Sequence, residues 1–299
     1  MRLLIGTLAL CTLNGCMFQA WIQTVDVCEG GREVRDVAYW DGPDFDTQKH
    51  RLDLYVPAGR GPHPVVVFVH GGGWRLGDRQ QFGSSYIKMG RRLSAQGVLT
   101  IIISYRLAPG FKHPSQAQDV ARALSWALKH SAEYGGDPER VFAMGHSAGA
   151  HLVALVATDP RWLAEVGQSP SQLKGVIGVS GPYDIEHLGR STLIGGVWMV
   201  IPAFGSDAAV WRDATPAHHL KATRPPPFLL AWADGDPEFV RRDGLLFADA
   251  LKRAHRSVTT FESTFDDHFS VIADFAGASN SLAAQVLKFI GPIRAPAPL

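Results

Sequence analysis

Apolar positions along the chain follow two periods, and the change from one to the other lays out an architecture. From Val34 to Tyr39 and from His50 to Val56, apolar residues fall at about every second place, the period of a strand with one covered face. Asp41-Gly42-Pro43-Asp44 between them carries turn chemistry, so the two strands are expected as an antiparallel hairpin. Pro64-Val65-Val66-Val67-Phe68-Val69 then breaks the alternation with a continuous apolar run, as a strand buried on both faces requires. Beyond it, apolar runs and helical stretches take turns. Strands are expected at Val98 to Ser104, in the run that opens at Val141, at Leu173 to Ser180, at Phe228 to Trp232 and near 257–263. The spacing between them predicts helices over 82–96, from Ser115 to about His130, directly after Ser147, over 239–254 and from Ser279 to Phe289. A chain that alternates strand and helix in this way builds an α/β domain around a mostly parallel sheet.

The pattern weakens between 185 and 223, where Trp198, Met199, Ile201, Phe204 and Trp211 stand among glycines and polar residues. Apolar side chains on broken backbone suit a small lid over a site; a pair of helices packed on the sheet would fit the same residues. Residues 17–34 read as a linker interrupted by Gly30-Gly31, which leaves the domain at 35–292 and a flexible tail at 293–299. At the start, Met1-Arg2 precedes an apolar run from Leu3 to Leu13 that is short for a bilayer span and reads as a signal peptide over 1–16. Leu13-Asn14-Gly15-Cys16 resembles the bacterial lipoprotein signal, which implies export and membrane attachment through a lipidated Cys16. Ordinary secretion and an uncleaved anchor are the alternatives.

Composition narrows the classes of function. With 46% hydrophobic and 19% charged residues in 299, the chain can bury one large core. A formal charge of +1 with no Lys/Arg run argues against a nucleic-acid partner. Cys11, Cys16 and Cys28 are the only cysteines; they form neither a disulfide framework nor a zinc spacing, so no metal is expected.

Two motifs carry chemistry. Gly145-His146-Ser147-Ala148-Gly149 follows the strand that opens at Val141 and has the form of a nucleophile elbow, in which a strained turn lifts the serine hydroxyl above the sheet edge. Taken alone, the five residues fit a plain glycine-rich turn equally well. His70-Gly71-Gly72-Gly73-Trp74 follows the earlier buried strand, and its glycines free the backbone to aim N–H groups at one developing negative oxygen. A flexible loop is the other reading of that run.

With HGGGW at 70–74, Tyr105-Arg106-Leu107-Ala108-Pro109 and the run from Tyr134 to Leu152, the chain from about 35 to 292 resembles the α/β-hydrolase fold. Within it, the chain is similar to small carboxylesterases with an HGGG-type oxyanion loop: hormone-sensitive-lipase-type esterases, kynurenine-formamidase-like enzymes and prenylcysteine-methylesterase-like enzymes. The resemblance implies a mostly parallel central sheet with helices on both faces and no cofactor. It also implies a catalytic order of Ser, then acid, then His. Ser147 is then the nucleophile, Asp236 the acid and His268 the base, with the N–H groups of Gly72, Gly73 and Ala148 as the oxyanion hole. Asp234 is the rival acid two residues away, and Trp232 and Ala233 stand where the family loop usually has histidine and glycine. Asp267 stands before His268 where many relatives have a small residue. His187, His218 and His219 precede the acid and His255 ends a helix, while His146 and His151 are expected to pack rather than react. The implied activity is hydrolysis of a small-molecule ester of small or medium acyl length. An arylformamidase-type amidase, and a hydrolase-fold binding protein without catalysis, are the alternatives.

Overall fold

The computed structural model describes residues 24–26, 31–80, 84–191, 193–221, 224–277 and 280–293. The expected signal at 1–16, with Cys16, and residues 294–299 of the expected tail lie outside them. The expected hairpin forms: β2 (Arg32–Ala38) pairs antiparallel with β3 (Arg51–Val56), and β1 (Thr24–Asp26) pairs antiparallel with β2. The linker expected at 17–34 is therefore shorter than its sequence suggests, since β1 and the first residues of β2 fall inside it. Three residues are too few for a period of two to register, and β1 is defined by its pairing with β2.

The alternating part follows as β4 (His63–Val69), α1 (Ser85–Ala95), β5 (Leu99–Ile103), α2 (Ser115–His130), β6 (Gly136–His146) and α3 (Ala148–Thr158). After the short α4 (Pro160–Ala164) comes β7 (Leu173–Val179). The segment at 185–223 holds α5 (Ile185–Ser191), a wide turn of helix over 193–200, α6 (Ile201–Phe204) and α7 (Ala208–Asp213). Then come β8 (Phe228–Gly235), α8 (Glu238–Arg253), β9 (Val258–Asp267), the single turn α9 (Ser270–Ala273) and α10 (Ser281–Ile290).

The nine strands of the described residues lie in one sheet in the order β1-β2-β3-β5-β4-β6-β7-β8-β9. Every pair from β5-β4 through β8-β9 is parallel. The two faces of β4 explain its unbroken apolar run. Val65, Val67 and Val69 enter one core with residues of α2, α3 and α8, whereas Val66 and Phe68 enter another with residues of α1 and α10. Helices thus cover both faces, and the parallel strands all end on one edge. There the chain leaves β4 toward β5 on one side and returns to β6 on the other, the crevice in which open α/β sheets bind ligands.

Candidate active site

The elbow sits between β6 and α3. Ser147 has φ 54° and ψ −122°, a region that costs a non-glycine residue about 1–3 kcal/mol and persists only when the surroundings hold it. They do so here, because the Ser147 N–H donates to Val179 O at 2.8 Å. Close packing of α3 on the sheet demands glycine at the next turn position: a Cβ on Gly149 would stand 2.1 Å from Val69 O. The serine hydroxyl is thereby fixed beside the end of β4.

His268 follows β9 and meets that hydroxyl. Its Nε2 lies 3.0 Å from Ser147 Oγ, and its Nδ1 lies 2.6 Å from Asp236 Oδ1. The other oxygen of Asp236 accepts from the Ser180 hydroxyl at 2.6 Å and from the Ala233 N–H at 2.7 Å. Burial by itself raises the Asp236 carboxyl, yet the hydrogen bonds from His268, Ser180 and Ala233 outweigh it and hold the group below the usual carboxylate range. The structure thus brings Asp236, and not Asp234, to the histidine. Asp234 instead accepts the N–H groups of Phe265 and Asp266 at 3.0 and 3.2 Å, where it steadies the end of β9. Asp267, the unusual neighbour of His268, accepts the N–H groups of Phe269 and Ser270, both at 2.8 Å. It closes the turn that leads into α9 and makes no side-chain contact with His268 among the described hydrogen bonds.

Gly72 and Gly73 turn out of β4 with φ of 114° and 59°. A Cβ on Gly72 would lie 2.2 Å from Leu76 O, and the backbone there is one that side chains rarely adopt. Among the described residues, neither glycine donates its N–H to a backbone carbonyl. The Ala148 N–H stands at the first position of α3, where no intrahelical partner exists. The Tyr105–Pro109 segment has a role that its sequence did not reveal: it braces this loop. Tyr105 stacks on His70 at 4.2 Å and donates to His70 O at 3.2 Å, and the Ala108 N–H donates to Trp74 O at 2.9 Å. Arg106 in turn grips Asp119 of α2 with a 2.7 Å contact from Nη2, and His50 Nε2 reaches the same carboxylate at 2.9 Å.

These groups open into a cavity of about 400 Å³ lined by Gly72, Gly73, Ser147 and His268 and walled by apolar side chains. Leu76, Trp198, Met199, Phe239 and Val240 form much of that wall, and among the described residues no Lys, Arg, Asp or Glu lines it. Trp198 and Met199 come from the 185–223 segment, which thus contributes to the cavity wall. Arg75, just after the glycine run at 71–73, holds this segment in place: its guanidinium lies 4.7 Å from the Trp198 ring and Nη1 donates to Trp198 O at 2.5 Å. Other parts of the segment pack inward, with Trp211 and Phe204 in the core.

Of the remaining histidines, His151 is buried and holds Ala214 O at 2.7 Å, tying α3 to the segment. His219 Nε2 bonds Asp213 O at 2.7 Å; neither it nor His187, His218 or His255 lines the cavity. Three polar residues near Ser147, Asp236 and His268 were not singled out as functional from the sequence: Ser180, Tyr86 and, as a partner of His268, His146. Ser180 ends the run predicted as β7, and a hydroxyl at the carboxyl end of a strand beside the elbow is the only signal it carries.

Behind the cavity wall, Asp184 N–H donates to Asp243 Oδ2 at 3.2 Å, and burial pushes the Asp243 carboxyl up to about 7. Between its unfolded value near 4 and about 7 the native state binds one proton more than the unfolded state, so stability is full below pH 4 and falls as pH rises to about 7. Three pH units correspond to about 4 kcal/mol as an upper bound. Asp243→Asn is expected to flatten this slope, so that thermal melting of the variant gains on wild type from pH 5 to pH 8. Parallel melting curves for the two proteins across that range would contradict it.

With the geometry in view, comparison with known proteins assigns the chain. A model of the BD-FAE family matches residues 52–251. The chain belongs to the BD-FAE family. This BD-FAE chain is 32% identical over 237 residues to a probable isoprenylcysteine alpha-carbonyl methylesterase of Arabidopsis thaliana, covering 73% of the chain and 47% of that relative. It is 33% identical over 205 residues to esterase LipC of Mycobacterium tuberculosis, covering 66% and 50%. The chain thus spans about half the length of the curated relatives it matches. Esterase B from Lactobacillus rhamnosis superposes with a TM-score of 0.72 at 23% identity, covering 87% of this chain and 84% of that one. That likeness shows the α/β-hydrolase fold.

Proposed function

We propose that the protein is a serine carboxylesterase that cleaves neutral esters of small to medium acyl length through a covalent acyl-enzyme. The observation that carries this reading is the unbroken line from Asp236 through His268 to Ser147, with contacts of 2.6 and 3.0 Å, at the floor of an apolar cavity. In the reaction, His268 Nε2 takes the Ser147 proton as Oγ attacks the ester carbonyl. Asp236 keeps the imidazole in the tautomer with the proton on Nδ1 and stabilises the cation, without itself taking the proton. The N–H groups of Gly72, Gly73 and Ala148 receive the oxyanion. His268 then protonates the leaving alcohol, and a water molecule repeats the sequence to release the acid.

The cavity wall also bears on the amide alternative. An aryl formamide with a charged amino-acid side arm would meet no countercharge among the described residues of the wall, which include no Lys, Arg, Asp or Glu, and burying that charge unpaired is costly. Turnover of p-nitrophenyl butyrate should therefore exceed that of N-formylkynurenine by a wide margin in kcat/KM. A preference for the formamide would favour the amidase, and hydrolysis of neither above the buffer rate would favour a binding protein. The N-terminal sequence further supports export with lipid on Cys16. Labelled palmitate is expected in the wild-type chain and not in Cys16→Ser; equal labelling would remove the anchor from the reading.

A further inference from the structure

Between the oxyanion loop and His268 lie two buried polar side chains that the mechanism above does not use. His146 Nε2 is 2.8 Å from His268 O. A carbonyl only accepts, so Nε2 carries the proton and, in the neutral ring, Nδ1 is left as an acceptor. Tyr86 Oη lies 3.4 Å from that Nδ1 and accepts the Gly71 N–H at 3.1 Å. Every link then has one donor and one acceptor: Gly71 N–H to Tyr86, Tyr86 O–H to His146 Nδ1, and His146 Nε2–H to His268 O. Burial, and next the neighbouring His268, push His146 down to about 3, so the ring stays neutral in the working range. Tyr86 stands on α1 and packs against Phe68 of β4 at 4.9 Å, while the His146 and His268 rings lie 5.1 Å apart.

We propose that Tyr86 and His146 are positioning residues, a buried relay that holds the backbone of the catalytic base in register with the loop that receives the oxyanion. One end of the relay is the peptide of His268, and the other is the residue directly before Gly72 and Gly73. Acyl transfer needs the base and the oxyanion donors placed together to within about half an ångström. Each belongs to a different strand end, after β9 and after β4, so their separation is not set by one local turn. The relay sets it through a line of hydrogen bonds inside the protein, where such bonds are stronger than in water. It rests on the reading of Ser147, His268 and Asp236 as a triad.

The test is steady-state hydrolysis of p-nitrophenyl butyrate by wild type, Ser147→Ala, Tyr86→Phe, His146→Leu and His146→Gln, with melting curves for each. Loss of activity in Ser147→Ala secures the underlying reading separately. Tyr86→Phe removes a single oxygen and His146→Leu a ring that borders the cavity; each is expected to lower kcat roughly 10- to 100-fold, with KM held within about twofold in Tyr86→Phe, whose side chain does not line the cavity. His146→Gln, whose amide N–H can still reach His268 O, should recover most of the loss. Unchanged kcat in Tyr86→Phe and His146→Leu, or a rise in KM at constant kcat, would overturn the proposal. Imidazole ¹⁵N resonances read the relay without turnover. A neutral ring protonated at Nε2 from pH 5 to 9, with faster Gly71 amide exchange in Tyr86→Phe, is the expected result; a proton on Nδ1, or Gly71 exchange unmoved by Tyr86→Phe, would overturn it even if no ester were cleaved.

Discussion

Ser147→Ala and His268→Ala are each expected to lower kcat for p-nitrophenyl butyrate by about a millionfold, in line with the loss on removing either partner of such a pair in a serine protease. The two are expected to act as one unit, because Nε2 of His268 lies 3.0 Å from Ser147 Oγ. The double variant should therefore be no slower than either single one. Both changes leave the core intact: Ser147 is held by its backbone bond to Val179, and His268 stands at the cavity. Melting temperatures should accordingly stay close to wild type, which separates lost catalysis from lost folding. Additive losses in the double variant would show that the serine and histidine act independently.

The second large effect distinguishes two carboxylates two residues apart. Asp236→Asn should lower kcat by about ten-thousandfold, because the amide favours the wrong imidazole tautomer and cannot stabilise the cation. It also loses the negative charge toward which Ser180 and the Ala233 N–H are directed. Asp234→Asn should change kcat by less than about tenfold, since Asp234 bonds only the backbone at the end of β9 and acts at most through the loop that carries His268. Kinetics of the two variants on the same ester check this, and a larger loss in Asp234→Asn would exchange their roles.

The sequence carried the parallel core of the fold because its signals are local and periodic. The apolar run at Val65–Val69 and the helical stretch from Ser115 to about His130 became β4 and α2 within a residue or two of their expected bounds. Shorter elements were not legible: β1, α4, α6 and α9 span three to five residues each, fewer than a helical or strand period needs. The extension of β9 to Asp267 was hidden for another reason, as Glu262 to Asp267 is mostly polar and is held by pairing with β8 and by Asp234.

At the candidate site, the meeting of Ser147, Asp236 and His268 in space could be anticipated because each sits in a motif or at a fixed place in the strand order. Asp236 could be ranked above Asp234 only by likeness, since both occur in one acidic turn and only the contact with His268 tells them apart. Tyr86, Ser180 and the bracing role of Tyr105–Pro109 could not be read at all. Their effect depends on which strand ends meet in space: Tyr86 is 60 residues from His146, and Ser180 is 56 from Asp236. Sequence spacing carries no record of such pairs.

Covalent trapping tests the central claim most directly, namely that Ser147 is a nucleophile activated by His268 and aimed at a carbonyl. Wild-type protein treated with a p-nitrophenyl butylphosphonate should release one equivalent of p-nitrophenol, and peptide mass mapping should place the butylphosphonyl group on Ser147. Labelling should be absent in Ser147→Ala and strongly slowed in His268→Ala. Ester hydrolysis that continues while Ser147 stays unmodified, or an adduct on another residue that abolishes activity, would contradict the assignment.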